Sequence, residues 1–398
     1  MTLSLDVVQT LSLAILILLL GQGIKKRVNF LEKFCIPAPV IGGLIFAILI
    51  LVFKQTNILT IEMDMTLKSL FMTAFFTTVG FTASFKLLKK GGIQVLLFLI
   101  LAVILVTLQD VVGIALAKVF NLNHLIGLST GSVPMTGGHG TSGAFAPIFE
   151  ESGAMGATTV AMASATFGLI MGSMLGGPIG KRLIEKNNLL NKENNEALFH
   201  EASTSENKEA REINASSFMS AVSQIIIAMG LGTILSILLE KTDLTFPPYI
   251  GAMFAAAIIR NISDFTNTYK VYEKEIDIIG NTSLSIFLAM ALMGLQLWQL
   301  SDLAGPLVIM LMAQALLMGL FAYFVTYNIM GRDYEAAVMA CGHCGFGMGA
   351  TPNAMANMDA LSSKFGSAPR AFFILPLIGS LFIDFFNAGI ITFFMNLF

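Results

Sequence analysis

Charged residues are scarce in this sequence. Asp, Glu, Lys and Arg make up 12% of 398 residues, against 55% for hydrophobic types. A soluble domain carries about twice that share of charge, so a water-soluble globular fold is excluded. Cysteine is scarce too. Cys35, Cys341 and Cys344 are three in the whole chain, too few for a disulfide framework. No basic cluster precedes the first apolar run and no small-residue cleavage site follows it. Leu5–Leu20 therefore reads as a retained first helix and not as a signal peptide. The formal net charge of -2 says nothing about partners, because placement matters more than the sum, and no nucleic-acid partner is expected.

What is present is a succession of apolar runs, each close to the ~20 residues that cross the hydrocarbon core. Ten spans are expected, over 4–23, 37–53, 66–85, 92–119, 154–180, 217–239, 247–262, 279–299, 304–329 and 369–396. Two further stretches, 124–150 and 334–360, carry Gly, Ser, Thr, Pro and His in place of Leu and Ile. Irregular backbone survives at that depth only inside protein or beside a water-filled cavity, so both read as re-entrant hairpins. With the N-terminus outside, nineteen of the 23 basic residues fall in cytoplasmic segments; the outside ones are Lys54, Lys68, Lys118 and Lys241. That asymmetry supports both the orientation and the span count, and it leaves no basic residue in a span interior. Both termini then lie on the outer, periplasmic side.

The halves resemble each other. Ile36-Pro37-Ala38-Pro39-Val40-Ile41-Gly42-Gly43 opens the second span, and Phe246-Pro247-Pro248-Tyr249-Ile250-Gly251-Ala252 opens the seventh. Each half holds five spans and one hairpin. Five is odd, so the second copy must sit upside down, as in carriers built from inverted repeats with interrupted helices. The expected fold is all-α: repeat one over 1–183, a polar cytoplasmic linker over 184–215, and repeat two over 216–398.

Candidate functional residues follow from what the spans do not contain. With no Arg or Lys available, an anion in mid-bilayer must be met by helix N-termini and free backbone N–H groups. The hairpins supply these in Gly137, Gly138, His139, Gly140 and Thr141, and in Gly345, Gly347, Gly349 and Thr351. Ser132, Thr136, Ser142 and Asn353 add side-chain donors, and Ser285 lies a turn inside the eighth span. The two hairpin tips are expected to meet near the midplane. Small residues also serve tight helix packing, the reading preferred for Gly42, Gly43 and Gly176-Gly177. Asp384, an intramembrane carboxylate, with Asn387 and Asn357, offers oxygen ligands for a sodium ion, or else anchors hairpin backbone. Asp110, beside Gln109, is a weaker candidate. His139 and His343 are read either as a proton relay or as neutral residues locking hairpin turns. Cys341 and Cys344 lack the second ligand pair of a zinc site and the soluble fold of a redox CxxC. They are read as packing residues, with no transition metal, no cofactor and no enzyme. Trp298, Tyr249, Tyr323 and Tyr327 are expected in an interfacial belt.

Four blocks in this order resemble the bacterial sodium/glutamate symporters: Ser132–Thr141, Gly280–Ser285 with Ala289–Leu295, Gly342–Pro352, and Phe382–Ala388. The resemblance covers nearly the whole chain. It implies import of L-glutamate across the bacterial inner membrane, driven by sodium as coupling ion. It also implies hairpins entering from opposite faces, a homodimer and an elevator-type movement. Both hairpins with the eighth and tenth spans are expected to move against a part that includes the second and seventh. Thr141-Ser142-Gly143-Ala144-Phe145 departs from the family's more usual Gly and Ala, which bears on substrate preference and not on class. A carrier of aspartate, malate or citrate with the same architecture is the alternative.

Overall fold

In the computed structural model the chain is described over residues 2–56, 58–90, 92–189, 213–241, 247–300 and 303–397. Most of the expected linker, 190–212, lies outside the described residues, as does Phe246. In chain order the first half holds α1 (Val7–Lys25), α2 (Asn29–Lys33), α3 (Ala38–Gln55), α4 (Thr66–Thr82), α5 (Phe85–Lys90) and α6 (Gly92–Val119). Three shorter pieces follow, α7 (His124–Leu128), α8 (Ser132–Met135) and α9 (Gly138–Glu151), then α10 (Ala157–Lys186). The second half holds α11 (Ala215–Glu240), α12 (Pro248–Thr266), α13 (Glu273–Met293) and α14 (Ala304–Ile329). It closes with α15 (Tyr334–Gly347), α16 (Thr351–Phe365), α17 (Pro369–Leu381) and α18 (Ile383–Met395).

Among the described residues eight helices are long and apolar enough to cross a membrane, and α17 with α18 makes a ninth if the bent pair is one span. The tenth expected segment is α12, which runs to Thr266 and carries Arg260 and Asp264 in its last turns. Those charges are held. Arg260 is buried, donating to Asp264 at 3.0 Å and to Glu273 at 2.7 Å. Asn261 donates to Ala83 O at 2.7 Å and accepts from Phe85 N at 2.9 Å. The expectation that no basic side chain enters a span is thus corrected at one helix end, where two carboxylates surround the guanidinium.

Three features escape the apolar pattern. Thr2–Leu5 and Thr60–Met63 form one short parallel ladder within the all-helical fold. It ties the start of α1 to the α3–α4 connection. The last span is broken: α17 and α18 meet at an angle of 44°, with Asp384 in the first turn of α18. Finally, Phe321–Thr326 of α14 is a π-helical turn, a rare geometry concentrated at functional sites.

The helices sort into two groups by packing. In the frame, α1 packs on α3, α11 on α12, and α12 and α13 on α4. In the second group α6 and α10 hold the short helices α7–α9, with α14 to α18 packed around them. The eighth span, expected with the hairpins, belongs to the frame, because α13 lies on α1, α3 and α4. Close backbone approach explains this. Lipid gives no hydrophobic drive between helices, so van der Waals contact through small residues decides which ones adhere. A Cβ on Gly280 would lie 2.3 Å from Thr78 Oγ1, and one on Gly43 would lie 2.4 Å from Leu292 Cβ. Gly177, by contrast, faces open space.

The seam between the groups is largely aromatic. Across it Phe145 meets Tyr249 at 5.7 Å and Phe254 meets Phe385 at 5.3 Å, while Phe76, within the frame, stacks on Tyr249 at 4.1 Å. Tyr249 is therefore fully buried and not in an interfacial belt. Its expected place was wrong because α12 enters the bundle against α4 and α9 instead of lining the surface. Trp298 does lie at a helix end, under the Lys54 ammonium at 3.3 Å.

The α1–α3 contact gives a direct test. A Cβ on Gly42 would lie 2.0 Å from Ile17 O, whereas one on Gly23 meets nothing. Gly42→Ala is expected to destabilise the protein by about 1–3 kcal/mol through overpacking. Thermal melts in detergent should show a lower transition for Gly42→Ala and none of that loss for Gly23→Ala.

Candidate functional site

Each hairpin is built from capped helix pieces. In the first, Asn123 accepts from Leu125 N at 2.9 Å and starts α7. The chain then breaks at Ser129–Gly131 and again at Thr136–Gly137, and Gly138 adopts φ +62, where a side chain would be strained. In the second, Asp333 caps α15 by accepting from Ala336 N at 2.8 Å. The break falls at Met348–Ala350, and Pro352 sits at the start of α16, where its missing N–H does no harm.

The two tips touch. A Cβ on Gly138 would lie 3.4 Å from Gly349 O. Behind the second tip, α10 comes so close that a Cβ on Gly168 would lie 2.2 Å from Met348 O. Gly137, Gly138, Gly140, Ala350 and Thr351 are half-buried and Pro352 is exposed, so the opening lies at the tips. The first N–H groups of α9, on Gly138, His139 and Gly140, have no acceptor in their own helix.

Two adjacent residues of α6 hold both hairpins. The Gln109 amide donates to Gly347 O at 2.6 Å, capping the end of α15, while its carbonyl oxygen accepts from Thr136 Oγ1 at 2.8 Å. Its backbone carbonyl accepts from Gln314 of α14 at 2.8 Å. Asp110 accepts from Ser132 N at 2.8 Å and from Ser132 Oγ at 2.9 Å, capping the start of α8. The sequence signal for these residues was their polarity within a long apolar span. Their partners, up to 238 positions away, were not readable.

The remaining predicted residues fall into three sets. Gly137, Thr141 and Ser142 support the first hairpin: a Cβ on Gly137 would lie 2.5 Å from Thr141 Cβ, and Ser142 donates to Ala161 O at 3.4 Å. His139 is buried, with Nε2 3.0 Å from Thr166 Oγ1. Thr166 spends its own proton on Met162 O at 3.0 Å, so His139 is the donor, and its Nδ1 is left as an acceptor. Gly345 and Gly349 let the second hairpin fold on itself: a Cβ on Gly345 would lie 2.4 Å from Ala354 Cα, and one on Gly349 would lie 2.8 Å from Gly345 O. Thr351 donates to Gly379 O at 2.9 Å.

Asn353 and Asn357 tie the second hairpin to α10. Asn353 donates to Ser173 Oγ at 2.6 Å and Leu169 O at 3.0 Å, and Asn357 to Gly172 O at 2.9 Å. Asn387 lies elsewhere, against the first hairpin, donating to Ser132 O at 3.3 Å. Asp384, one turn earlier, has no hydrogen bond or ion pair among the described residues. Ser285 bonds back to Asn281 O at 2.8 Å; Leu284 and Phe287, its neighbours, are the α13 residues that meet Gly140 and Gly143. His343 packs against Phe98, Phe321 and Phe346 and bonds Thr326 of the π turn at 2.9 Å. Cys341 and Cys344 are buried free thiols.

Many apolar spans, with two interrupted helices meeting end to end inside the protein, define a multi-pass membrane protein of the carrier class. The chain belongs to the sodium/glutamate symporter family, whose profile matches residues 3–367. It is 41% identical to the sodium/glutamate symporter of Escherichia coli strain K12 over 398 residues, 99% of this chain and 98% of that one. The symporter of Haemophilus influenzae strain Rd is also 41% identical, over 385 residues, 96% of this chain and 95% of that one.

The role of Gln109 is open to measurement. Gln109→Leu removes the shorter bonds of Gly347 O and the Thr136 hydroxyl and leaves only their mutual contact at 3.3 Å, which costs about 1 kcal/mol or more. A lowered melting temperature is expected, together with faster proteolysis at the hairpin tips.

Proposed function

We propose that the protein imports L-glutamate together with sodium ions across the bacterial inner membrane by alternating access. The observation that carries this reading is the meeting of two hairpin tips where no basic side chain is present. The N–H groups of Gly138, His139 and Gly140 and the start of α16 at Thr351 face that opening, and they can receive carboxylates. His139 Nδ1 is an acceptor suited to the substrate ammonium. Membership of the sodium/glutamate symporter family supports the choice of substrate and ion.

The full topology belongs to the same proposal. Ten spans arise if α12 crosses with its charged end in the cytoplasm and α17–α18 crosses as one bent span. Both termini then lie outside. Each half offers three frame helices, then a hairpin flanked by two further spans, a pattern that supports inverted five-span repeats. The hairpin group moves against the frame along the aromatic seam, as a homodimer whose contact lies on the frame. Sodium binds at Asp384 with Asn387, while Asn357 supports the ion site through the second hairpin. By linkage, sodium and glutamate must raise each other's affinity by the same factor.

Reconstituted protein should accumulate labelled glutamate against its gradient with sodium outside, and not with choline. Accumulation unaffected by collapse of the sodium gradient would remove the symport reading. Competition by aspartate, malate and citrate decides the acid preferred. Asp384→Asn should raise the sodium concentration for half-maximal uptake by about tenfold or more, the scale of losing one charge-assisted contact. Cys341→Ala with Cys344→Ala should transport as the parent does; loss of uptake there would instead favour thiol chemistry.

A further inference from the structure

Asp110 is a buried carboxylate that the proposed substrate and sodium sites leave unused. It lies in the middle of the 28-residue α6, and it is fully buried. The ion pairs among the described residues lie at helix ends and in loops, at Glu185, Asp264, Glu273 and Asp333, and none involves Asp110. Both of its oxygens instead accept from donors of Ser132, one from N–H and one from O–H. Both oxygens are thus within hydrogen-bond distance of one residue and, among the described residues, of no basic group. An ionised carboxylate in a dry interior is strongly disfavoured without a counter-charge, so a cation beside Asp110 would stabilise it.

A second, independent observation points to the same place. Asn387 is fully buried and donates its amide N–H to Ser132 O, yet its Oδ1 has no partner. Ser132 joins the two. Its hydroxyl gives its proton to Asp110 Oδ2, which leaves the hydroxyl lone pairs free. A carboxylate, an amide oxygen and a hydroxyl oxygen are hard, neutral-to-anionic ligands, the set a sodium ion takes in preference to nitrogen or sulfur donors. Room for the carboxylate is made by Gly131, where a Cβ would lie 2.6 Å from Asp110 Oδ1.

We infer that Asp110, Ser132 Oγ and Asn387 Oδ1 form a sodium site at the foot of the first hairpin, so that ion binding fixes the break between α7 and α8. The inference rests on the symport reading, deepens it, and moves Ser132 from substrate to ion and the Asn387 carbonyl oxygen from the Asp384 site to this one. Sodium there neutralises Asp110 and draws α6, α8 and α18 together. Thr136, four residues beyond Ser132, then holds Gly347 and the second hairpin through Gln109.

The test is sodium titration of glutamate uptake in proteoliposomes. Asp110→Asn keeps an oxygen for Ser132 N–H and an amide for Ser132 Oγ, but it removes the charge. It should raise the sodium half-saturation by about tenfold or more and lower the Hill coefficient for sodium. Ser132→Ala keeps the charge and loses one ligand. It should raise the sodium half-saturation several-fold while leaving the glutamate KM at saturating sodium unchanged. If Asp110→Asn does not fold, Ser132→Ala alone decides. Sodium half-saturation at the parent value in a folded variant overturns the site, as does a Ser132→Ala effect confined to the glutamate KM. Wild-type uptake that ignores sodium sinks the symport reading itself; a sodium-dependent wild type with indifferent variants sinks only this inference.

Discussion

A broken helix inside a membrane exposes N–H groups at one end and carbonyls at the other, and lipid can satisfy neither. The arrangement here depends on how α6 meets that demand. Gln109 presents an amide donor to the carbonyl end of α15, while Asp110 presents an anion to the N–H end of α8. Each suits the sign of the helix terminus it faces. Because the two residues are adjacent on one rigid helix, they hold two hairpins from opposite halves of the chain at one depth.

Around that hub, two kinds of contact divide the molecule. Backbone-to-backbone approach at glycines binds helices within each group, as at Gly42 against Ile17 or Gly168 against Met348. Such contacts have one good register and resist sliding. The seam between the groups instead joins aromatic faces, Tyr249 with Phe145 and Phe254 with Phe385. It is crossed by long hydrogen bonds, from Asn353 to Phe34 O at 3.3 Å and from Thr159 to Gln296 O at 3.5 Å. Faces held mainly by dispersion lose little when shifted, since one aromatic contact replaces another. The chemistry of the seam therefore suits relative movement, and the chemistry within each group suits rigidity.

Much of this was legible in the sequence. The apolar runs coincide with eight helices able to cross a membrane among the described residues, nine if α17 and α18 are one span, and the Gly/Ser/Thr-rich segments coincide with the interrupted helices α7–α9 and α15–α16. Ser132, Thr136 and Gly347, expected at the substrate, and Asn387, expected at sodium, all make or receive hydrogen bonds around the first hairpin and α6. The failures were specific. α13 was grouped with the hairpins because its Ser and Asn residues looked functional, whereas Ser285 only bonds its own helix and the frame contact runs through Gly280. Tyr249 was read as a surface anchor from its position near a span end. Gln109 and Asp110 were undervalued because they match no motif and their partners are distant.

The sequence by itself determined which medium each segment meets: lipid, water or protein interior. Hydropathy and charge placement are properties of individual residues, and the bilayer acts on each of them locally. Only the tertiary structure decided which polar groups satisfy one another, because a hydrogen bond depends on two positions at once. Residues 22 and 238 positions apart came together around α6 through packing that no local pattern encodes. The tertiary structure likewise decided where the last apolar run bends, by 44° between α17 and α18.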